Sequence, residues 1–557
     1  MKHKIFCLIL FFFVCSTAVT GQGYENGLVV SAHPEASQVG LQILKQGGNA
    51  VDAAVAVQFA LAVVYPNAGN LGGGGFMVIR QADGGTASLD FREKAPAKAH
   101  RDLYLDKEKK VVPGLSTIGH LAAGVPGTVA GMAAAHEKYG RLSWEKVVTP
   151  AVRLAHHGFV LTAAQAGGLN ATQDLFKKYN PGSAYFIKVK WAAGDTLIQT
   201  DLGHTLERIR EKGAAGFYRG KTARLIVKEM KEGNGIIRRG DLRDYKAVWR
   251  KPVTGMYKDY KVISMPPPSS GGVALLQMLK MVAAYAPDEV HSARQVHLLA
   301  EIERRVFADR ATYLGDPDFY EVPVTELLDK EYLRRRMQSF NPEKASASTE
   351  IKAGELAAAV ALQRESRETT HFSIVDKEGN AVALTTTLNG SFGCKIVVDG
   401  AGFLLNNEMD DFSAKPGVPN MFGLVGGEAN AIEPGKRMLS SMTPAILEKD
   451  GKLFMVVGSP GGSTIITTVF QTILNVVDYG MDIKEAVNTK RFHHQWLPDR
   501  ILAERGAFDQ AVIQELEKKG HRLDFTGSIG RCDAILIKDG KYYGGADPRG
   551  DDTAAGF

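Results

Sequence analysis

The sequence predicts an α+β fold, and three observations carry that reading. Residues 50–64 are small and apolar on nearly every side, as a buried helix requires. Two short turn signals, Lys377-Glu378-Gly379 and Lys449-Asp450-Gly451, each separate apolar runs of strand length. The middle third is helix-rich, with stripes such as Val296, Leu299, Ile302 and Val306.

Taken in order, the chain opens with Lys2, His3 and Lys4, a continuously apolar run from Ile5 to Val14, and small residues through Gly21. That layout is a signal peptide over residues 1–22, because about ten apolar residues are too few to span a bilayer as a helix. Export to the periplasm or the outside is expected. Val14 before Cys15 is a poor lipidation signal, which argues against a lipid anchor. A helix from Glu35 to Lys45 is closed by Gly47-Gly48, and Asn49 caps the buried helix, which Pro66 ends. Gly72 to Gly75 lead into strands 76–79 and 87–91, joined at Asp83-Gly84-Gly85. In the second strand Ala87, Leu89 and Phe91 face one way; Ser88, Asp90 and Arg92 face the other.

Pro266 to Gly272 reads as a rigid loop between a strand and a helix. Residues 341–368 lose periodicity and become small and polar, predicting an exposed connector of roughly 25 residues. Strands 371–375 and 381–388 follow. A three-residue loop with left-handed Gly379 pairs Asp376 with Asn380 and, carried back, sets Thr369 opposite Thr387. The same logic at the second turn pairs Glu448 with Lys452, which would set Ser441 opposite Ser459 and Ser440 beside Pro460 and Gly461. Strand 453–457 then meets Gly458-Ser459-Pro460-Gly461-Gly462-Ser463 and a helix over 464–477.

Composition excludes several function classes. The 557 residues are 45% hydrophobic with a net charge of +6, spread without a run of five or more like charges, so neither nucleic acid nor a membrane surface is indicated. After the first 22 residues no apolar stretch reaches the length of a membrane span. Only Cys394 and Cys532 remain outside the leader, free or paired, and neither they nor the adjacent pairs His156-His157 and His493-His494 have metal-site spacing. Neither a metal nor a cofactor is implied. Length alone would allow three or four domains.

Alone, Thr369-Thr370-His371 is ordinary strand sequence and Asp410-Asp411 an ordinary acidic pair. In company they are not. Gln46 to Ala54, Gly69 to Phe76, Asp90-Phe91-Arg92-Glu93, Thr369-Thr370-His371, Leu405 to Phe412, Leu439-Ser440-Ser441-Met442 and Gly458 to Gly462 occur in one order. Together they resemble the gamma-glutamyltransferase family of N-terminal-nucleophile hydrolases, over residues 27–556.

The resemblance implies one four-layer αββα sandwich. It also implies cleavage between Glu368 and Thr369 into a large subunit, 23–368, and a small one, 369–557, that stay together as a heterodimer. Thr369 would be the nucleophile, with its freed α-amine as base, and Thr387 its hydrogen-bonding partner. Gly461 and Gly462 N–H groups would form the oxyanion hole. Arg92, Ser440 and Ser441 would hold the carboxylate of a γ-glutamyl group, and Asn389, Glu408 and Asp411 its ammonium. Glutathione or another γ-glutamyl amide would be the donor, and water, an amino acid or a peptide the acceptor. One departure stands out: Phe422 occupies the lid-loop position where many bacterial members carry a tyrosine, so the expected phenol–Asn389 bond is missing and hydrolysis should be favoured over transfer. Two alternatives remain at this stage, a related acylase for β-lactam or glutaryl side chains and an inactive binding protein of the same fold.

Overall fold

The computed structural model describes residues 22–182, 185–356, 368–413, 415 and 428–557. Ala50–Val64 is helical from end to end and every residue in it is buried. Asn49 caps it as predicted: its side chain accepts from the N–H groups of Val51 and Asp52, and the Asp52 carboxylate accepts from Asn49 N–H at 3.0 Å. A cap of this kind contributes about 1 kcal/mol. The helix also ties down a turn that sets the site, because Ala50 N–H donates to Asp376 Oδ2 at 2.9 Å.

Two antiparallel sheets lie face to face beneath the helices. The first has seven strands in the order Thr553–Gly556, Gly27–Ser31, Glu368–Asp376, Ala381–Asn389, Gly74–Arg80, Thr86–Asp90 and Val248–Arg250. The second has six: Lys541–Gly545, Asp533–Lys538, Lys452–Gly458, Ala445–Lys449, Tyr260–Ser264 and Val253–Tyr257. Alternation along each strand sorts the side chains into two cores. Val29, Met77, Ile79, Leu89, Ile374 and Val382 pack under the helices Pro34–Lys45 and Ala50–Val64. Leu28, Val30, Phe76, Val78 and Val375 face Ile446, Val456 and Ile535 of the second sheet, whose far side is covered by Gly271–Val282, Ala293–Tyr313 and Thr464–Val477. This is the αββα sandwich, one module in which strands from both ends of the chain interleave.

The first hairpin has the predicted register. Asp376 N–H donates to Asn380 O at 3.0 Å, Gly379 has φ +87°, and Thr387 lies opposite Thr369. The second does not. Asp450 and Gly451 alone form the turn, with φ +50° and +73°, so Lys449 rather than Glu448 faces Lys452. An irregularity between Leu447 and Glu448 adds one more step, and Ala445 faces Val457. A slip of one would turn the apolar face outward; the bulge makes it two and returns that face to the core. Pairing ends there, so Ser440 and Ser441 are not carried into register with Ser459 and Pro460.

The first part of the predicted connector is largely exposed but anchored at points. Within residues 341–356 Ser348 and Ile351 are buried and hydrogen-bonded, while most of their neighbours are exposed. Trp496 Nε1 donates to the carbonyls of Ser348 and Ile351 at 2.7 and 2.8 Å, Asp499 accepts from Ser348 N–H at 2.7 Å, and Asp309 accepts from Gly354 N–H at 2.9 Å. The polar composition that suggested exposure serves partners on the charged helix Ala293–Tyr313. Residues 357–367, the leader to Gly21, and Phe422 lie outside the described residues. Cys394 and Cys532 are buried free thiols in different cores. Among the described residues no helix is long and apolar enough to cross a membrane.

Candidate active site

Thr369 lies one residue inside its strand, almost fully buried, with Oγ1 donating to Thr387 Oγ1 at 3.4 Å. Pairing runs in step from Ala381–Val375 to Thr387–Thr369, then skips Leu388 so that Glu368 faces Asn389. The extra residue sits opposite the Glu368–Thr369 peptide bond. Asn389 has φ +75°, and its N–H donates to Thr387 Oγ1 at 2.8 Å. Bulges of this type re-aim backbone and side chains at sites. Gly73 explains part of the glycine run: a Cβ there would lie 2.0 Å from Thr387 O. Beneath it, Asn70 Nδ2 donates to Thr386 Oγ1 and Thr387 O at 3.0 and 2.9 Å.

His371 joins this strand to the second sheet. Its nitrogens bond Thr385 Oγ1 at 2.8 Å and Ser373 Oγ at 3.1 Å, and burial pushes its pKa down to about 3, so the ring is neutral. A Cβ on Gly458 would lie 2.3 Å from that ring, which keeps position 458 a glycine at the start of the next feature.

The turn after Gly458 leads from strand Lys452–Gly458 into helix Thr464–Val477. Gly461 and Gly462 have φ +133° and +60°, conformations open to glycine. Their carbonyls accept from Thr464 and Ile465 N–H at 3.2 and 3.0 Å. Among the described residues no protein acceptor takes either glycine N–H, so both remain as donors. Thr369 and Gly461 line one cavity of about 180 Å³; Gly462 does not reach its wall.

On the other side of Thr387 lies a buried charge cluster. Arg92 Nη1 is 2.6 Å from Glu408 Oε2 and 3.4 Å from Glu93 Oε2, and Nη2 is 2.5 Å from Asp411 Oδ2. Burial pushes the carboxyls of Glu408 and Glu93 up to about 8, with the Arg92 charge pulling the other way. One guanidinium cannot neutralise three desolvated carboxylates, so the two glutamic acids hold protons while Asp411 pairs with Arg92. Arg92, which the sequence reading placed with the serines, is thus paired directly with Glu408 and Asp411, which it placed on the ammonium side. Asn389 bonds Thr387 and reaches Asn407 O at 2.8 Å.

The serine pair follows directly on the carbonyls that Arg92 holds. Arg92 reaches the carbonyls of Met438 and Leu439, just before the serines, at 3.3 and 3.2 Å. Ser441 Oγ accepts from Arg310 Nη2 at 3.2 Å, Ser440 Oγ accepts from Met442 N–H at 3.2 Å, and Ser440 O accepts from Ser270 N–H at 2.7 Å. The Pro266–Ser270 loop and Arg310 thus hold this segment, a support the sequence reading missed. Its signal was present: an arginine on an otherwise buried helix needs a partner.

Among the described residues one His/Glu group has metal-like proximity, His297, Glu301 and His521. Its donors are already occupied. Glu301 accepts from Arg304, Arg305 and both the N–H and hydroxyl of Ser346, while His297 Nδ1 and His521 Nε2 bond each other at 2.7 Å. Two guanidinium groups beside it oppose a cation, and the set does not fit one.

Comparison with known proteins agrees with this geometry. A family model described as Gamma-glutamyltranspeptidase matches residues 36–557. The chain is 49% identical over 540 residues to a glutathione hydrolase proenzyme of Escherichia coli (strain K12), covering 96% of this chain and 92% of that protein. Among solved structures, gamma-glutamyltranspeptidase of Helicobacter pylori is 47% identical, with a TM-score of 0.57, over 58% of this chain and 94% of that one. Cephalosporin acylase from Bacillus halodurans superposes over 100% of this chain and 99% of its own, with a TM-score of 0.86 at 26% identity.

Proposed function

Because the chain belongs to the gamma-glutamyltranspeptidase family, we propose that it is an exported glutathione hydrolase and gamma-glutamyltransferase made as a self-cutting precursor. Residues 1–22 are the leader. Thr369 Oγ1 attacks the Glu368 carbonyl, the peptide nitrogen leaves as the new α-amine of Thr369, and water opens the ester. The bulge opposite that bond supports this step, because it frees the peptide from regular pairing where it must turn toward the hydroxyl. The products, 23–368 and 369–557, remain interleaved strands of one sheet.

The α-amine then serves as general base for its own hydroxyl. A chain terminus titrates at roughly 7.7–8.0, near working pH, where a lysine at about 10.4 would be charged. Thr369 attacks the γ-carbonyl of the donor, and the N–H groups of Gly461 and Gly462 stabilise the oxyanion, each donor contributing about 3–4 kcal/mol. The amine leaves, and water or an amino acid or peptide amine resolves the γ-glutamyl ester. In the bound state Arg92 turns its fork to the substrate carboxylate, with Ser440 and Ser441 beside it, while Glu408, Asp411 and Asn389 take the ammonium. Phe422 in place of tyrosine leaves the lid without its phenol bond, which favours water as acceptor.

The observation that carries this reading is the path from the Thr369 hydroxyl through Thr387 and Asn389 to Asn407, the residue before Glu408 in the acidic cluster around Arg92. A glutaryl acylase has no ammonium to bind and no use for that cluster. Purified protein offered a γ-glutamyl anilide and a glutaryl anilide is expected to hydrolyse the first; preference for the second would overturn the assignment.

A further inference from the structure

Thr369 divides two regions of different character. Arg92, Glu408 and Asp411 lie behind Thr387, and none of them lines the 180 Å³ cavity on the other side of the nucleophile. With the γ-glutamyl chain directed to the acidic cluster, the group bonded to its carbonyl on the far side points into that cavity. Its wall includes Pro460, Gly461, Thr464, Ser528 and Gly530, no carboxylate, and one charged side chain, Arg531. The cavity opens to solvent, so an amino acid can enter it and a longer amine can extend outward.

Arg531 is fixed with one edge left over. Its Nε donates to Asp552 Oδ2 at 2.9 Å, Nη2 pairs with the same oxygen and reaches Ala32 O at 3.4 Å, and Nη1 donates to the Tyr65 hydroxyl. The guanidinium lies 5.2 Å from the centre of the Tyr65 ring, and its backbone N–H donates to Ser459 Oγ at 3.0 Å in the oxyanion turn. A Cβ at Gly550 would come within 2.1 Å of the guanidinium carbon, so that residue leaves room for it. A guanidinium has five N–H groups. Four are used, and the second N–H of Nη1 has no protein acceptor among the described residues. The side chain keeps 20% of its surface exposed. A second guanidinium, Arg505, is exposed near Gly527, beside the cavity-lining Thr526 and Ser528.

We propose that this cavity is the subsite for the departing or incoming amine and that Arg531 reads the free carboxylate of that amino acid or short peptide. Asp552 and Tyr65 hold the guanidinium in place, so the carboxylate meets a donor that needs no reordering. The inference rests on the γ-glutamyl reading given above and extends it to the other half of the substrate.

The test compares two donors on the mature enzyme: a γ-glutamyl anilide, whose leaving group is neutral, and a γ-glutamyl aminobenzoate, whose leaving group carries a carboxylate. Arg531→Met is expected to lower the ratio of kcat/KM for the carboxylate donor over the neutral one by about tenfold or more, mainly through KM, with Arg531→Lys restoring part of it. An equal fall for both donors would show that the arginine only supports Asp552 and Tyr65, and would overturn the proposal. Unaltered protein gives an independent reading should Arg531→Met fail to fold. Glycylglycine should half-saturate transfer at a concentration about tenfold or more below that of glycylglycine amide, and equal values would overturn the proposal. Failure of unaltered protein to cleave either donor would instead refute the γ-glutamyl reading itself.

Discussion

Replacing Glu408 with glutamine isolates the electrostatics of the charge cluster. Burial raises the Glu408 carboxyl from 4.5 to about 8. At about 1.4 kcal/mol per unit, keeping it ionised in the fold would cost roughly 5 kcal/mol. A group whose folded pKa is raised contributes stability that is whole below its unfolded pKa and is lost as pH climbs through the folded value. For Glu408 that window runs from about 4.5 to about 8. At pH 7 the loss amounts to roughly 3 kcal/mol, because the unfolded chain has ionised and the folded one has not. Glutamine cannot ionise, so Glu408→Gln should equal the parent near pH 4.5 and exceed it by about 3 kcal/mol at pH 7. The assay is urea unfolding followed by tryptophan fluorescence at several pH values, in a Thr369→Ala background that keeps the chain in one piece. In the cleavage-competent enzyme the same variant should raise KM for a γ-glutamyl donor by about tenfold or more, since a glutamine, unlike the glutamic acid, cannot give up a proton to become a carboxylate when the ammonium binds. A variant that is less stable than its parent at pH 7, by an amount independent of pH, would refute the reasoning. It would mean Glu408 is an ionised partner of Arg92 and that a neighbour carries the proton.

Other perturbations probe the rest of the account. Trp496→Phe removes two hydrogen bonds to the 341–356 segment and should speed tryptic cutting at Lys344 and Lys352 by about tenfold, with cutting elsewhere unchanged as the internal control. Gly458→Ala places a methyl against the His371 ring and should lower stability by about 1–3 kcal/mol, read as a reduced urea midpoint. Burial pushes the thiols of Cys394 and Cys532 up to about 12, so Ellman's reagent should find neither in native mature protein and both in denaturant. Phe422→Tyr should raise the ratio of transfer to hydrolysis with glycylglycine as acceptor; an unchanged ratio would remove the lid explanation.

Local chemistry made much of the fold legible. The Ala50–Val64 helix is found with the predicted bounds because Asn49 and Pro66 punctuate a run that has no polar side to expose. The Thr369–Thr387 pairing was readable because Gly379 fixes a three-residue loop and strand periodicity transmits that register seven residues back. The second hairpin shows the limit of the same inference. Asp450-Gly451 is itself a favourable two-residue turn, and no local signal in the strand announces the compensating bulge. The anchoring of the connector was not legible for a different reason. Ser346, Ser348 and Gly354 are polar or small because they bond Glu301, Arg304 and Asp309, buried charges on the helix Ala293–Tyr313, and that partnership is long-range. Arg310 on Ser441 and Arg531 beside Thr369 were hidden in the same way: each is an ordinary basic residue until the fold brings its partner near.

The most direct measurement is the intact mass, under denaturing conditions, of the purified protein and of its Thr369→Ala variant. Two fragments are expected from the first, one of them residues 369–557 with a free threonine amine, and a single uncut chain from the second. A fully active enzyme that remains one chain, with residue 369 still in peptide linkage to Glu368, would contradict the account, because the hydroxyl would then be working without the amine proposed as its base.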